Sequence, residues 1–446
     1  MNWRAARDAV QLALLFVIVY GTTNWLTSLR PDIPSFYLSW ERNIPFVPLM
    51  IIPYMSIDLF FIAVPFVCRT DQERLVVSRR ITACILIAGA CFLLFPLRFA
   101  FERPPAEGWL GTIFDSFREL DKPFNQFPSL HIALRAILAN TYARHSKGIL
   151  RQLLNVWFSL IGISTVLTYQ HHLIDILGGF ILAAVCFHLF REKDRSERSV
   201  QFNRIGFYYA SGAGILVAIA LITHPYGLLL LWPAASALVV AAAYFGFMPL
   251  VFQKRAGRLS WQSTFLFWPI LLGHYWSLRR YARECDPWNA MTDRVWIGRK
   301  LAAAEANRAI AGGVVAVVDL TSEFSETRPF LQLPYLNLPV MDLTAPTREQ
   351  LVEAVKFIAK YSPSGIVYVH CKIGYSRTAA VAAAYLLRTY HSHSIEDALT
   401  HLRSTRPSIV IREEVIEALR VYNEFLHAEP RQDRSTNPHP NPAISS

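Results

Sequence analysis

The residues best suited to chemistry form one continuous segment, Val369–Thr378, with the sequence VHCKIGYSRT. The segment follows a strand-like run and opens a predicted helix, so its amides and the helix N-terminus converge on one point and favour an anion there. At that point Cys371 is favoured as a thiolate, the nucleophilic form of cysteine. Arg377 can clamp two phosphate oxygens, and Thr378 can donate its hydroxyl to the thiolate when it leaves. The pattern predicts nucleophilic attack by Cys371 on phosphorus.

This segment resembles the HCxxGxxR signature of the Cys-dependent dual-specificity and tyrosine phosphatases. The resemblance extends over about 286–426 and includes Ala384–Leu387 (AYLL), which is similar to the AYLM segment of that family. The family's general acid is an Asp on an upstream loop, which implies Asp342, 29 residues before Cys371. Asp342 would protonate the leaving oxygen and then act as a base on the hydrolytic water. Asp319, which ends an apolar strand, is the less favoured alternative.

The same resemblance assigns the residues around the nucleophile. His370 belongs to the catalytic motif, and Lys372, Gly374 and Ser376 belong to the binding loop. The loop is also similar to that of the mitochondrial-type lipid phosphatases, which act on phosphatidylglycerophosphate, and this implies a phospholipid substrate. The basic residues of the loop and of the neighbouring 406–412 segment can equally be ordinary phosphate-steering cations.

A second group of reactive residues lies in the apolar half of the chain, in Phe127–His131 (FPSLH) and Tyr169–Asp175 (YQHHLID). His171 and Asp175 are spaced i, i+4, so on a helix they share a face and the carboxylate can orient the imidazole. The other ring nitrogen of His171 is then free to attack phosphorus, and His131 can protonate the departing alkoxide.

These motifs resemble the type 2 phosphatidic acid phosphatase (PAP2) superfamily over most of residues 80–190. Pro128–His131 corresponds to its PSGH motif, His171 and Asp175 to the end of its third motif, and Arg103 with the following proline to the end of its first. The resemblance implies a six-helix core, phosphohistidine chemistry and catalytic roles for His131, His171 and Asp175.

The sequence departs from that superfamily at two phosphate-binding cations. The lysine of the first motif falls at Pro96, with Arg98 the nearest cation, and the arginine of the third motif falls at Thr165. Arg135 can replace a missing phosphate ligand or pair with Asp58. The PSLH…HHxxxD form also resembles inositol-phosphorylceramide and sphingomyelin synthases. The membrane half is therefore a hydrolase, a headgroup transferase or an inactive anchor.

Composition agrees with a membrane protein. Of the 446 residues, 53% are hydrophobic and 17% are charged, which excludes a disordered chain and disfavours a fully soluble enzyme. The net charge of +11 lies entirely before Cys285, in the apolar part, and no compact basic patch with interleaved aromatics indicates nucleic-acid binding. The six cysteines show neither zinc-site spacing nor a disulfide framework.

Apolar runs near bilayer length predict eight spans, at about 9–27, 44–67, 81–99, 128–143, 153–169, 172–190, 205–222 and 226–247. One alternating set of loops carries 17 Lys and Arg and the other carries six, which predicts a cytoplasmic N-terminus and outward-facing histidine motifs. The run Trp261–Trp276 is short and basic at both ends, so we expect an interfacial or re-entrant helix; as a ninth span it would place all later residues outside.

Three segments and a tail follow from these patterns: a membrane domain (1–250), an interfacial helix and linker (251–284), an α/β phosphatase domain (285–428) and a disordered tail (429–446). In the α/β domain, strands are predicted at Val314–Leu320, Leu336–Val340 and Gly365–His370, and helices at about 348–361, 377–390, 395–404 and 412–427.

The predicted protein is a polytopic α-helical, PAP2-like membrane domain fused to a dual-specificity phosphatase domain, in a bacterial inner membrane. The phosphatase domain is expected in the cytoplasm, acting on a phospholipid or another phosphomonoester, with no metal or cofactor at either site. The alternatives are a phosphoprotein phosphatase tethered by an inactive membrane domain and a non-enzymatic membrane scaffold that recognises phosphate. The sequence does not indicate an oligomeric state.

Overall fold

The computed structural model describes residues 3–120, 122–190, 203–246, 250–389 and 394–428. Two compact units are present: Met1–Val251 with Phe265–Ile270, and Phe252–Thr264 with Leu271–Ser446. The predicted tail at 429–446 and the basic loop at 191–202 lie outside the described residues. The segments 252–264 and 271–284, which the sequence suggested as a linker, group with the second unit.

The first unit is helical. Its helices are α1 (Trp3–Ser28), α2 (Ile51–Val67), α3 (Asp71–Leu94), α4 (Gly108–Leu120), α5 (Leu130–His145), α6 (Gly148–Leu167), α7 (Leu173–Leu189), α8 (Asn203–Ile222) and α9 (Leu231–Tyr244). A helix forms at each of the eight predicted spans, and α4 is an additional one. Within the described residues, six helices are long and apolar enough to cross a membrane, whereas α5 and α7 have only 16 and 17 residues.

The two short helices, which carry the histidine motifs, pack closely because α7 has two consecutive glycines on its contact side. A Cβ at Gly178 would lie 2.5 Å from the Phe127 ring, and one at Gly179 would lie 2.6 Å from the Ser129 carbonyl oxygen. Both distances are too short for any side chain larger than glycine. The Ser129 N–H also donates to the Asp175 carbonyl at 2.9 Å. These contacts bring the beginnings of α5 and α7 together.

The second unit is an α/β fold around a five-stranded sheet of order β1-β2-β5-β3-β4. The strands are β1 (Trp288–Thr292), β2 (Val295–Arg299), β3 (Val314–Thr321), β4 (Tyr335–Val340) and β5 (Ile366–Cys371). The first pair is antiparallel and the other pairs are parallel. Its helices are α10 (Trp261–Tyr281), α11 (Ala303–Ala311), α12 (Arg348–Tyr361), α13 (Ser376–Thr389), α14 (Ile395–Thr405) and α15 (Glu413–Ala428).

Successive side chains of the central strand β5 point to opposite faces of the sheet, and each face packs against its own apolar cluster. In β5, Val367 and Val369 face the core that α12–α15 cover, while Tyr368 faces a smaller cluster with α11. The three predicted strands and four predicted helices of this unit are present, and α12 begins with the expected capping box at Thr347. The sequence missed β1, β2 and α11, which are short elements of five to nine residues.

Helix α10 is continuous from Trp261 to Tyr281 and is not among the six helices that meet the length and hydropathy of a span. Its stretch Phe265–Ile270 groups with the first unit and its part from Leu271 groups with the second. The preceding loop is anchored in the second unit by Lys254, whose ammonium donates to Asp319 and to the Thr321 carbonyl at 3.0 Å. The Tyr335 hydroxyl also donates to Asp319, at 2.6 Å.

Candidate active sites

The cysteine loop connects the end of β5 to the start of α13, as the sequence predicted. Gly374 has φ +79°, and a Cβ there would lie 2.5 Å from the Gly298 carbonyl, so the tight loop requires glycine. The Gly374 N–H donates to the Cys371 sulfur at 3.3 Å, and the sulfur belongs to a side chain that is only 3% exposed. The loop therefore presents a backbone donor to the nucleophile in a site largely shielded from water.

Arg377 is held by a buried carboxylate that sequence reasoning missed. Its guanidinium donates two hydrogen bonds to Glu323, at 2.8 and 3.1 Å, and one to the Val340 carbonyl at 2.9 Å. Burial alone would raise the pKa of Glu323, but the charge and hydrogen bonds of Arg377 hold this pKa below its usual value. The only sequence signal for this role was an acidic residue just past a predicted apolar strand.

Asp342, the expected general acid, lies against the cations of the loop. Its Oδ1 is 3.1 Å from Nη2 of Arg377, and its Oδ2 is 3.3 Å from Nζ of Lys372. With a side chain 26% exposed, Asp342 is open to a substrate. Asp319, the alternative, is fully buried and bonded to Lys254, Thr321 and Tyr335. The geometry therefore favours Asp342 over Asp319.

His370 and Arg406 are buried residues that contact the backbone of the cysteine loop. The imidazole Nδ1 of His370 lies 3.3 Å from the Cys371 carbonyl, and its Nε2 is 2.8 Å from a carboxylate oxygen of Glu326. Arg406 is 1% exposed and donates to the carbonyls of Gly374 and Ile373, at 3.2 and 3.1 Å. Arg406 is thus a positioning residue for the loop backbone, whereas the sequence suggested only a basic surrounding.

Two hydroxyls in the first turn of α13 are available for new hydrogen bonds. Oγ of Ser376 and Oγ1 of Thr378 are buried and have no hydrogen-bond partner among the described residues. An unpaired buried hydroxyl is costly unless a ligand or water satisfies it. Both are therefore suited to a transient role during phosphate transfer.

In the first unit, the predicted imidazole–carboxylate pair is close but not hydrogen bonded. His171 Nδ1 lies 3.6 Å from Asp175 Oδ2, which instead accepts the backbone N–H of His172 at 2.9 Å. His171 Nδ1, Asp175 Oδ1 and Nε2 of His131 are buried without a hydrogen-bond partner among the described residues. Three polar groups of the predicted site are thus unsatisfied in this conformation.

Tyr54 is a neighbour of this site that the sequence did not indicate. Its ring stacks on the imidazole of His131, with centroids 4.2 Å apart and planes at 12°. His172, in contrast, is structural. Its Nδ1 lies 3.0 Å from a Glu41 carboxylate oxygen, and its Nε2 accepts the Ala100 N–H at 3.1 Å.

The predicted phosphate-binding cations of the first unit have other partners. Arg103 donates to the Tyr169 carbonyl at 2.9 Å, directly beside the histidine motif. Arg135 donates to the Phe158 carbonyl at 2.6 Å and makes no ion pair with Asp58 among the described residues, so the suggested pairing is wrong. Arg98 is exposed, and its backbone N–H donates to the Pro34 carbonyl at 2.9 Å.

Comparison with known families matches each unit to one model. Residues 41–189 match the PAP2 superfamily, and residues 295–425 match the dual specificity phosphatase catalytic domain. The chain carries both domains. The PAP2 match begins well before residue 80, so this domain includes α2, which supplies Tyr54. Glu323 and Asp342 lie inside the phosphatase match, whereas Lys254 and helix α10 precede it.

Similar proteins include lipid and protein phosphatases. Phosphatidylglycerophosphatase and protein-tyrosine phosphatase 1 of Mus musculus is 39% identical over 95 residues, which cover 21% of this chain and 49% of the relative. Phosphatidylglycerophosphate phosphatase PTPMT2 of Arabidopsis thaliana is 28% identical over 155 residues, 33% of this chain and 66% of the relative. The crystal structure of PTPMT1 is matched with 27% identity and a TM-score of 0.29, over 32% of this chain and 96% of that one. The chain spans about half the length of the mammalian relatives that it matches.

Proposed function

We propose that the second unit hydrolyses phosphomonoesters through a phosphocysteine intermediate. The observation that carries this proposal is the convergence of Cys371, Arg377 and Asp342 around one loop, with Arg377 fixed by Glu323. A thiolate nucleophile, a bidentate guanidinium and a carboxyl acid are the groups that this reaction requires.

The reaction proceeds in two displacements. The Cys371 sulfur forms a bond to phosphorus while the ester P–O bond breaks, and protonated Asp342 gives its proton to the departing oxygen. Water then attacks the phosphocysteine, Asp342 takes a proton from it, and the P–S bond breaks to release phosphate. Arg377 holds the equatorial oxygens throughout, and the Thr378 hydroxyl donates to the thiolate as it leaves. Arg377 contacts Asp342 in the ligand-free site, so the substrate phosphate displaces the Asp342 carboxylate from Nη2 of the guanidinium when it binds.

We further propose that the substrate is a phospholipid phosphate in the cytoplasmic leaflet of a bacterial inner membrane. Support comes from the membrane-length helices in the same chain, the excess of basic residues in one set of loops and the names of the similar phosphatidylglycerophosphatases. A tethered phosphoprotein phosphatase is the competing function, because one of those names also includes protein-tyrosine phosphatase.

The test uses the full chain in lipid nanodiscs, with phosphate release measured from phosphatidylglycerophosphate and from a phosphotyrosyl peptide. We expect kcat/KM to be higher for the lipid and both activities to vanish in Cys371→Ser. The reverse preference would support the tethered protein phosphatase. Residual turnover in Cys371→Ser would overturn the phosphocysteine mechanism.

For the first unit we propose a second, His-dependent site on the side of the membrane opposite the cytoplasm, with His171 as nucleophile and His131 as proton donor. The unsatisfied buried atoms of His131, His171 and Asp175 favour a site that binds a ligand over an inert anchor. Arg103, which donates to the carbonyl of Tyr169 within the motif, is a candidate cation for this site. Whether phosphate passes to water or to a lipid hydroxyl is decided by mass spectrometry of the products formed from a lipid phosphate, with His171→Ala as the control.

A further inference from the structure

Helix α10 contributes to the phosphatase pocket although it precedes the matched catalytic domain. His274 accepts a hydrogen bond at Nδ1 from the ammonium of Lys372, with the two nitrogens 3.2 Å apart. Lys372 directly follows the nucleophile and also contacts Asp342. Two ring contacts reinforce this placement: Tyr275 with Phe324, with centroids at 5.0 Å, and Tyr281 with Tyr375, at 6.3 Å.

These contacts reach the parts of the site that position phosphate. Phe324 is fully buried and adjacent to Glu323, the residue that holds Arg377. Tyr375 belongs to the loop between Cys371 and Arg377. A displacement of α10 would therefore disturb the lysine, the arginine support and the loop together.

His274 enters this pocket as a neutral imidazole. Burial lowers its pKa, and although the carboxylates of Glu323 and Asp342 act in the opposite direction, the cations Lys372 and Arg377 add to the lowering. Because Nδ1 accepts from Lys372, the ring proton is on Nε2. The imidazole thus fixes the Lys372 ammonium without competing for phosphate.

The other side of the same helix is an exposed stripe with a composition typical of lipid interfaces. Leu272 and Trp276 are 50% and 68% exposed and lie four residues apart, so they share a face of α10. Exposed Arg279 and Arg283 continue the stripe towards the domain. Bulky apolar residues followed by arginines suit a helix lying in the headgroup region of anionic lipids.

We propose that α10 couples the phosphatase pocket to an anionic lipid surface: the stripe Leu272–Arg283 rests on the lipid, and His274 and Tyr281, on the opposite side of the helix, thereby fix the phosphate-binding loop. This inference rests on the proposed phosphatase activity and adds a regulator to it. A lipid surface is favoured as the occupant because the stripe combines an exposed tryptophan with positive charge, in a chain whose described residues include six membrane-length helices.

The test measures kcat for a soluble aryl phosphate with the full chain in nanodiscs of phosphatidylcholine alone or mixed with phosphatidylglycerol. A soluble substrate separates an effect of the lipid on the enzyme from the presentation of a lipid substrate, and kcat is insensitive to repulsion of the substrate by the anionic surface. We expect kcat to be severalfold higher with phosphatidylglycerol. The triple variant Trp276→Ser, Arg279→Gln, Arg283→Gln should lose this stimulation and keep the activity measured in phosphatidylcholine.

The matched control is Arg348→Gln with Arg420→Gln, which removes two exposed arginines from other helices of the same unit and should retain the stimulation. His274→Ala should lower kcat in both discs and reduce the ratio between them. Equal kcat of the unmodified chain in the two discs, or stimulation that survives in the triple variant, would overturn the coupling. Absence of Cys371-dependent aryl phosphate hydrolysis in every disc would instead overturn the proposed function itself.

Discussion

Arg377 and Asp342 are in direct contact in the ligand-free phosphatase site, with Nη2 of the guanidinium 3.1 Å from Oδ1 of the carboxylate. Glu323 accepts from both Nη1 and Nη2 of the same guanidinium, so Nη2 is shared between the two carboxylates. We therefore expect phosphate and Asp342 to compete for the same part of Arg377, so that the proposed general acid also occupies the proposed phosphate site.

This competition predicts opposite effects on chemistry and on phosphate binding. Asp342→Ala should lower kcat by about 10²-fold or more, as expected for a lost acid and base. The same variant should bind inorganic phosphate more tightly, because Arg377 and Lys372 lose a competing carboxylate. Steady-state kinetics with phosphate as inhibitor measures both, and Asp342→Asn keeps the side-chain shape as a control. Weaker phosphate inhibition in both variants would contradict the competition.

The Glu323–Arg377 pair predicts an acid-sensitive fold. The folded-state pKa of Glu323 is below the ordinary value of 4.5, so its ionisation stabilises the folded state above that pH, and the stabilisation is lost as pH falls through the folded-state pKa. Glu323→Gln should destabilise the second unit by about 3–5 kcal/mol at neutral pH, since Arg377 remains buried without its partner. The penalty should shrink below pH 4.5, which thermal unfolding of the full chain in detergent at several pH values can check.

Lys254 precedes the matched catalytic domain, yet its ion pair with Asp319 is expected to stabilise the fold of the second unit. Lys254→Met leaves Asp319 buried without its ammonium partner, and we expect about 3–5 kcal/mol of destabilisation. The double variant Lys254→Met, Asp319→Asn removes both charges and should recover part of the loss. Heat inactivation of aryl phosphatase activity in the full chain provides the measurement. A double variant no better than Lys254→Met would show that the two charges are not coupled.

The two candidate sites should be separable by mutation. Cys371→Ser is expected to leave any His-dependent lipid activity intact, and His171→Ala should leave the Cys-dependent phosphomonoesterase intact. Sealed, oriented vesicles with substrate added to one side distinguish the two activities. Loss of both in either single variant, with the protein still folded and inserted, would show that the sites depend on each other.

The distribution of Lys and Arg among the loops predicts which side of the membrane each loop faces. Reporter fusions at Arg195 and at Ser446 should report the cytoplasm, and a fusion near Glu107 should report the outer compartment, because 17 Lys and Arg lie in one set of loops and six in the other. An outward-facing Ser446 would mean that Trp261–Tyr281 spans the membrane, and α10 could then not lie on the surface.

Local sequence patterns were sufficient for the main elements and for the strand–loop–helix placement of Cys371. The strand before Cys371, the helix after it and the capping box at Thr347 each follow from residues close together in the chain. Glu323 and Arg406 could not be predicted in this way, because each acts on the loop from 32 or more residues away. Their roles depend on how strands and helices assemble.

The histidine motifs of the first unit also show how far local sequence patterns can predict contacts. Spacing predicted that His171 and Asp175 share a helix face. They do lie close together, but His171 precedes α7, and Asp175 caps that helix through the His172 N–H. The interpretation of Arg135 as a partner of Asp58 failed because a backbone carbonyl, which carries no sequence signal, binds the guanidinium.

The buried bond between Lys254 and Asp319 bears on how such a two-domain gene can recombine. The ammonium donor is encoded ahead of helix α10, and its carboxylate acceptor is encoded on the third strand. A crossover anywhere between them would pair an acceptor with a foreign sequence and leave a charge buried in the phosphatase unit. We therefore expect a transferable form of this phosphatase unit to begin before Lys254 and not at the start of the matched catalytic domain.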